Sequence, residues 1–308
     1  MRVFVTGASG WIGSAVVPEL LDAGHQVTGL ARSDASASAL EAAGVTVVRG
    51  DLEDTDLLRD TAAASDAVIH LAFRHDIAFT GQFAEAVASD RAAIAALGEG
   101  LPSGGALTIA SGVLGLAIGG RPALESDRPA PESLAGGRQA SADDALALAE
   151  RGIRSSVVRL SPTVHGEGDG GFVPTLIHVA REKGVAGYPG DGSARWTAVA
   201  RSDAARLFRL AVEVAPAGSI LHGVADEGIP VRAIAEAIGR HLDVPVRSVP
   251  EEDAGEHFGF LGMFLGFDSP ASNTITREVT GWEPTGPSLI EDLDKGHYFD
   301  EAAGSKYV

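Results

Sequence analysis

A glycine-rich segment near the start of the chain has the residue types and the spacing of a phosphate-binding turn. It is Thr6-Gly7-Ala8-Ser9-Gly10-Trp11-Ile12-Gly13, between a predicted strand and a predicted helix. Gly7 permits a tight turn, Gly10 lets the backbone approach a pyrophosphate, and Gly13 lets the helix pack closely on the strand. The first turn of that helix offers unpaired N–H groups to an anion. The segment predicts a dinucleotide site, with an ordinary strand-to-helix turn as the alternative.

The end of the second predicted strand indicates which dinucleotide is bound. A protein that selects NAD places an Asp or Glu there, about twenty residues after the glycines, to accept a hydrogen bond from the ribose 2′-hydroxyl. Here the sequence is Gly29-Leu30-Ala31-Arg32-Ser33. Arg32 can stack on adenine or bind a 2′-phosphate, and Ser33 adds a short donor. We therefore expect NADP(H), with NAD(H) as the alternative and a solvated surface cation as the other interpretation of Arg32.

Two more pairs of residues are expected to line this cofactor site. Asp51 and Leu52 follow the third predicted strand, where they can hold the edge of the adenine. Ala72 and Phe73 follow the fourth strand and can cover the ribose. Both pairs are inferred from position, because ligands of open α/β sheets bind outside the carboxyl ends of the strands.

Four side chains are candidates to stabilise charge on a substrate carbonyl oxygen. His75 follows the fourth strand, and Asp76 beside it can orient the ring or raise its pKa. His165 follows the sixth strand in a glycine-rich loop. Arg138 can polarise a carbonyl or hold a substrate carboxylate, and Ser111 can donate one hydrogen bond. Structural roles are the alternatives: a structural or surface histidine, a salt bridge near a helix start for Arg138, and a structural serine.

Other catalytic classes are not expected. The chain has no cysteine, its histidines are scattered, and it contains no His-Glu-x-x-His motif, so no metal site is predicted. Ser111 lies between Ala110 and Gly112 rather than in the Gly-x-Ser-x-Gly elbow of a serine hydrolase.

The composition of the chain limits its partners. It has 308 residues, 45% of them hydrophobic, and a formal net charge of -18, which opposes binding to nucleic acid or to anionic lipid. A predicted strand begins directly after Met1, and no apolar run reaches the roughly 20 residues of a membrane helix. We expect a cytoplasmic protein with a small-molecule substrate.

The elements that must position these residues alternate between short β-branched runs and amphipathic Ala- and Leu-rich stretches. This pattern predicts an α/β fold, a doubly wound parallel sheet with helices on both faces. Strands are predicted at Arg2–Thr6, Gln26–Ala31, Thr46–Gly50, Ala67–Ala72, Ala106–Ser111 and Ser155–Leu160. Helices are predicted at Ile12–Ala23, Asp34–Ala43, Asp54–Ala63, Phe79–Gly98 and Ala140–Arg151.

The pattern changes after residue 160, where loops punctuated by glycine and proline begin. A helix is predicted at Ser202–Val214, a strand near Ile220–Val224 and a helix at Val231–His241. We expect a dinucleotide-binding domain at 1–160, to which 200–225 returns. A smaller substrate-binding lobe is then predicted from 161–199 and 226–308.

These motifs together resemble the extended short-chain dehydrogenases, the family of epimerases, dehydratases and ketoreductases. The resemblance is carried by the glycine-rich segment, Gly50-Asp51-Leu52, His70-Leu71-Ala72, Ser111 and Arg159 to Gly166. It implies a Rossmann domain with a C-terminal substrate lobe, and a homodimer formed through a four-helix bundle of Phe79–Gly98 and Ala140–Arg151. It also implies that Ser111 assists the carbonyl chemistry.

The chain departs from that family at the catalytic helix. Family members carry Tyr-x-x-x-Lys there, but spacing back from Arg159 places Ala135 and Gln139 at the two positions. The only tyrosines are Tyr188, Tyr298 and Tyr307, and none has a lysine four residues later. This pattern resembles the atypical members of the family, so activity does not follow from membership alone.

The function expected from the sequence is an NADP(H)-dependent oxidoreductase that reduces a ketone or aldehyde of a small or medium organic substrate. Ser111 and one of His75, His165 or Arg138 would stabilise the alkoxide. An epimerase, dehydratase or isomerase that uses bound nucleotide is one alternative. A non-catalytic NADP(H)-sensing regulator is the other.

Overall fold

Seven parallel strands form the central sheet of the protein. The computed structural model describes residues 1–78, 80–116, 120–130 and 134–300, apart from the side chains of Leu134 and Ala135. The sheet strands are β1 (Arg2–Thr6), β2 (Gln26–Ala31), β3 (Thr46–Arg49), β4 (Ala67–His70), β5 (Ala106–Gly112), β6 (Arg154–Leu160) and β10 (Ser219–Gly223). Their order is β3-β2-β1-β4-β5-β6-β10, which confirms the predicted doubly wound sheet.

Helices cover both faces of this sheet. They are α1 (Gly13–Asp22), α2 (Asp34–Ala42), α3 (Thr55–Ala63), α4 (His75–Ala78), α5 (Phe83–Gly100), α6 (Leu134–Ala147) and α8 (Arg201–Val214), with a 3-10 turn at Leu148–Arg151. One apolar core lies between the sheet and the α1, α2 and α8 side, and a second lies on the α3, α5 and α6 side. Burial on both faces explains the apolar runs of β1 and β4 in the middle of the sheet.

Two predicted helices differ from the structure in their bounds. The helix expected at Phe79–Gly98 begins only at Phe83, because Gly81 adopts a φ of 91° that ends the short α4 and redirects the chain. Phe79 itself lies outside the described residues. The helix expected at Ala140 begins six residues earlier at Leu134, despite Gly136 and Gly137. A Cβ at Gly137 would lie 2.8 Å from Cε1 of Phe83, so this glycine permits the close approach of α5 and α6.

The second half of the chain adds a smaller group of elements. Its strands are β7 (Thr163–His165), β8 (Ala186–Pro189), β9 (Arg195–Ala200), β11 (Asp226–Pro230) and β12 (Val246–Val249), arranged as β11-β9-β7 and β12-β8. Its helices are α7 (Phe172–Lys183), α9 (Val231–Leu242), α10 (Ala254–Phe258), α11 (Gly262–Leu265), α12 (Thr274–Thr280) and α13 (Leu289–Asp294), with 3-10 turns at Glu251–Asp253, Gly259–Leu261 and His297–Phe299.

These later elements are interleaved with the central sheet. β10 pairs with β6 and α8 packs on α1, while β7, β9 and β11 form their own sheet. A third apolar core, which contains the fully buried Trp196, lies among α7, α9 and the C-terminal helices. The residue bounds of the two domains stay a prediction. Among the described helices, none combines the length and the apolar character needed to span a bilayer.

Candidate active site

The glycine-rich turn has the geometry of an anion site. Gly7 has a φ of 68°, and a Cβ there would lie 2.8 Å from the N atom of Ala72. A Cβ at Gly13 would lie 2.1 Å from the carbonyl O of Gly7, so only glycine lets α1 start this close to β1. The N–H groups of Trp11 and Ile12 donate no hydrogen bond to the described part of the chain. The turn therefore presents open backbone donors at a helix N-terminus.

The second half of the chain holds this turn in place. Nε1 of Trp11 donates to the carbonyl O of Val164 at 2.8 Å. Nε of Arg201 donates to the carbonyl O of Trp11 at 2.7 Å, and its Nη2 donates to Oγ of Ser14 at 2.6 Å. The guanidinium lies 4.0 Å from the centre of the indole. Trp11 thus joins the predicted cofactor turn to β7 and to the start of α8, a contact that the sequence analysis did not anticipate.

The residues predicted at the adenosine end lie after their strands as expected. The Arg32 side chain is 67% exposed, and its Nη1 lies 3.8 Å from a carboxylate oxygen of Asp76. The hydroxyl of Ser33 caps α2 by accepting from the N–H of Ser36, so it is partly engaged. Asp51 is half-buried and accepts from the N–H of Glu53, while Leu52 is buried. Of the cations at this end of the site, Arg32 has the longest contact with a carboxylate.

A buried polar chain connects the glycine-rich turn to the middle of α5. Oγ1 of Thr6 lies 2.8 Å from Nδ1 of His70, and it also accepts from the N–H of Ala72 at 3.3 Å. Nε2 of His70 lies 3.1 Å from Oδ1 of Asp90. The consistent arrangement is a neutral imidazole that donates through Nε2 to Asp90 and accepts from the hydroxyl of Thr6. All three side chains are at most 2% exposed.

Asp90 is the functional neighbour that the sequence analysis missed. Burial raises the pKa of its carboxyl, but the His70 hydrogen bond and the charge of Arg138 outweigh burial and leave that pKa lowered. The available signal was its position, because Asp90 falls on the apolar face of α5 with Ala86, Val87 and Ile94. A charged residue on such a face needs a buried partner.

Ser111 lies at the carboxyl end of β5, at the centre of the same edge. It pairs in register with Arg159 of β6, which pairs in turn with His222 of β10. The Ser111 hydroxyl makes no hydrogen bond with any described residue. It is therefore free to donate to a ligand.

Gln139 supports a buried arginine instead of taking part in proton transfer. Nη1 of Arg159 donates to the carbonyl oxygens of Glu125 and Asp127, and Nη2 donates to Oε1 of Gln139 at 3.2 Å. Arg159 is 1% exposed, and burial lowers its pKa to about 10. The side chain of Ala135, at the expected tyrosine position, lies outside the described residues.

Arg138 and His75 both contact Phe73, and Arg138 also contacts the residue before Ser111. Nη2 of Arg138 donates to the carbonyl O of Ala110 at 2.5 Å, and its guanidinium lies 4.0 Å from the centre of the Phe73 ring. The His75 ring meets the same phenyl ring edge-on, with 5.1 Å between the ring centres. Phe73 thus contacts both candidate residues, of which Arg138 is also bound to β5. Its predicted place over a ribose stays a prediction.

The charge of Asp76 acts to raise the pKa of His75 as expected, but it does not decide the net shift. Burial, followed by the charge of Arg138, lowers the pKa of His75, and these effects outweigh the opposite pull of Asp76. The Asp76 carboxylate instead accepts from Nε of Arg74 at 3.0 Å. His75 remains reachable from solvent although many protein atoms surround its ring. The lowered pKa favours the uncharged imidazole.

The fourth candidate, His165, is separate from this group. It ends β7 and is 1% exposed, and its Nδ1 lies 2.9 Å from Oδ2 of Asp292 in α13. Its contacts tie β7 to the C-terminal helices, which favours the structural interpretation of this residue. The described residues contain no cluster of His, Asp or Glu that could hold a metal ion.

Comparison with known proteins identifies the family. The profile of the NAD dependent epimerase/dehydratase family matches residues 3–96. An uncharacterized protein of Schizosaccharomyces pombe is 48% identical over 97% of this chain and 100% of its own length. A 3-diazoavenalumate denitrifying reductase of a Streptomyces species is 30% identical over 96% of this chain and 100% of its own. The chain belongs to the NAD-dependent epimerase/dehydratase family.

The fold agrees with this epimerase/dehydratase assignment. The crystal structure of a dTDP-glucose 4,6-dehydratase double mutant from Streptomyces venezuelae superposes with a TM-score of 0.78 over 98% of each chain, at 22% identity. At that identity the likeness shows the fold alone. The resemblance to the extended short-chain dehydrogenases is confirmed, and with it an NAD(P)-dependent enzyme family.

The buried chain from Thr6 to Asp90 predicts a stability effect in this family member. Asp90→Ala should lower the free energy of unfolding by about 1 to 3 kcal/mol, because it leaves the buried Nε2–H of His70 without an acceptor. Asp90→Asn should lower the free energy of unfolding by less, since the oxygen of its side-chain amide can still accept from Nε2–H of His70. Urea unfolding followed by circular dichroism measures both variants. Glu283→Ala, which breaks an exposed pair with Arg277, is the control and should change stability by less than about 1 kcal/mol. Equal losses for Asp90→Ala and the control would contradict the role given to the chain.

Proposed function

We propose that the protein is an NADP(H)-dependent oxidoreductase that reduces a ketone or aldehyde of a small or medium organic substrate. The observation that carries this proposal is the grouping of Ser111, Arg138 and His75 at the carboxyl edge of the sheet. That edge also carries the open donors of the glycine-rich turn. A hydroxyl, a guanidinium and an imidazole are the groups that a forming alkoxide needs, in a site without the Tyr-x-x-x-Lys pair.

The cofactor fits the turn on steric and polar grounds. The N–H groups of Trp11 and Ile12 would hold the pyrophosphate, and the absence of a Cβ at Gly7 and Gly13 gives the backbone its close approach. Arg32 would bind the 2′-phosphate, which is the basis for preferring NADP(H) over NAD(H). When bound, the cofactor supplies the hydride.

The protein's own residues would manage the charge on the carbonyl oxygen. Ser111 donates its free hydroxyl, and His75 donates an N–H while uncharged. Because its pKa is lowered, His75 is a weak source of protons, so we expect the alkoxide to be stabilised mainly by hydrogen bonds and by the nearby cation of Arg138. The proton that completes the alcohol would then come from solvent water. His165 is the less favoured member of the original set because its ring is buried against Asp292.

A relative supports the reductase proposal over its alternatives. The Streptomyces protein that matches this chain from end to end carries a reductase name. The epimerase or dehydratase alternative keeps the same nucleotide site but consumes no cofactor. The sensor alternative binds the nucleotide and transforms nothing. Cofactor consumption therefore separates the three functions.

The first test is NADPH binding followed by turnover. We expect a fluorescence titration to show that NADPH binds. The loss of NADPH absorbance in the presence of a panel of carbonyl compounds should then show that it is oxidised. Ser111→Ala should lower kcat/KM by about 10²-fold, because it removes one hydrogen-bond donor to the alkoxide. Ser38→Ala, on the exposed side of α2, is the matched control and should keep full activity. NADPH binding without oxidation of any carbonyl would reject the reductase and leave the isomerase or the sensor.

Arg32 gives a separate test of cofactor choice. Arg32→Ala should weaken NADPH binding by about 10- to 100-fold, the effect of one charge-assisted hydrogen bond, and leave NADH binding within a few-fold. Isothermal titration with both nucleotides measures this. Arg277→Ala, an exposed arginine paired with Glu283, is the control. A native protein that binds NADH as tightly as NADPH would contradict the role of Arg32.

We also propose a homodimer through α5 and α6. The exposed side of α5 carries alanines at the spacing of one helical face: Ala84, Ala88, Ala92 and Ala95. Small residues on one face permit the close helix approach of a symmetric four-helix bundle. Arg91 and Asp144 join α5 to α6 beside this face.

This interface predicts the mass of the protein in solution. Sedimentation equilibrium should give twice the chain mass of 31.5 kDa. Ala88→Glu should shift the protein toward the monomer, because it places like charges against each other across the symmetry axis. Ala35→Glu on α2 is the control with the same change of charge. A monomeric native protein would refute the proposed interface.

A further inference from the structure

We propose that the substrate carries a carboxylate that binds Arg138, which narrows the substrate class to 2- or 3-oxo acids. The proposal rests on the proposed carbonyl reduction, and it assigns Arg138 a ligand of its own. Several N–H groups of this guanidinium have no hydrogen-bond acceptor among the described residues.

Arg138 is a largely enclosed cation with few partners. Its Nη2 donates to the carbonyl O of Ala110, and its flat face stacks on Phe73. Among the described residues it makes no other hydrogen bond and no ion pair, so the N–H groups of Nε and Nη1 have no acceptor. No salt bridge of Arg138 is therefore found within the described part of the chain.

Among the described residues, no charged group near Arg138 forms an ion pair with its guanidinium. Asp90 is the carboxylate whose charge acts on the guanidinium, but its Oδ1 is bound to Nε2 of His70. His75 contributes no compensating negative charge. Burial lowers the pKa of Arg138, since the cation has lost water without gaining a direct counter-ion. An anion delivered by the substrate would supply that counter-ion.

The shape of the free donors favours a carboxylate. A guanidinium presents two pairs of parallel N–H groups that match the two oxygens of a carboxylate, and each pair includes one N–H of Nη2. Because the carbonyl of Ala110 takes only one Nη2 N–H, the other pair stays available. An alkoxide exists only during the reaction and offers one oxygen, so it cannot compensate the cation in the resting complex. The guanidinium carbon lies 4.0 Å from the centre of the Phe73 ring, a contact that helps to position the cation.

Arg138 is held next to Ser111 in the chain. Its Nη2 donates to the carbonyl of Ala110, the residue directly before Ser111. We therefore propose a substrate whose carboxylate and carbonyl are close together, as in 2- and 3-oxo acids.

The anchor can be tested without turnover. The protein saturated with NADP⁺ is titrated by calorimetry with propanoate and benzoate, each against its amide, and with phenyl phosphate. We expect each carboxylate to bind about 10- to 100-fold more tightly than its amide. Arg138→Met should abolish this difference and Arg138→Lys should keep part of it. Arg128→Met is the matched control and should keep the full difference between carboxylate and amide. Arg128 is an exposed arginine paired with Asp143, a residue of the helix α6 that also carries Arg138.

A kinetic comparison tests the same anchor during turnover. Benzoylformate and acetoacetate are compared with their methyl esters, which keep the carbonyl and lose the charge. We expect kcat/KM to be at least about 10-fold higher for the acids, mainly through KM, because the carboxylate contact is made before the reaction as well as during it. Arg138→Met should lower kcat/KM for the esters, because the nearby cation also stabilises the alkoxide, and should lower it for the acids by at least about 10-fold more, so that the preference for acids is lost.

The outcomes separate this proposal from the reductase proposal. Carboxylate binding that depends on Arg138, without reduction of any carbonyl, would retain the anchor and reject the reduction. Equal turnover of acids and esters would retain the reduction and reject the anchor. Phenyl phosphate binding more tightly than benzoate would also overturn the carboxylate assignment. The comparison of acid with amide uses the native protein, so the test stands even if an Arg138 variant fails to fold.

Discussion

The contact between the first strand and the first helix leaves no room for a side chain at Gly13. The carbonyl O of Gly7 would lie 2.1 Å from a Cβ there, and Gly7 itself faces the backbone after β4. Because β1 is central in the sheet, this one approach fixes the start of α1, the end of β4 and the open N–H groups between them. The hydrogen bonds of Trp11 and Arg201 then connect this turn to the second half of the chain.

The departure from the Tyr-x-x-x-Lys pattern is consistent with the surroundings of α6. Gln139 gives its Oε1 to the fully buried Arg159, whose other acceptors are backbone carbonyls. A lysine at that position would remove an acceptor and place an ammonium against a desolvated guanidinium, which costs free energy on both counts. The inner face of α6 is therefore organised around arginines, with Arg159 as a structural cation and Arg138 at the edge of the site.

The sequence predicts the parts of this protein that depend on local pattern. Buried parallel strands leave apolar runs, and the glycine spacing of the turn follows from backbone geometry, so the sheet and the turn were predictable. The start of α6 was not, because Gly136 and Gly137 argue locally against helix while the contact with Phe83 of α5 favours them. His165 could not be placed either, since its partner Asp292 is 127 residues away in sequence.

The net charge of -18 makes the placement of each cation informative. Most surface arginines are neutralised by a carboxylate in direct contact, as Arg49 is by Asp34 and Arg195 by Asp268. Arg32 has only a carboxylate at 3.8 Å, and Arg138 has no ion pair among the described residues. Arg32 follows β2 and Arg138 precedes β6. The two cations therefore lie on opposite sides of the glycine-rich turn that follows β1. In an acidic protein that must attract an anionic dinucleotide and, under our proposal, an anionic substrate, uncompensated positive charge at both ends of the site supplies the local attraction that the whole molecule lacks.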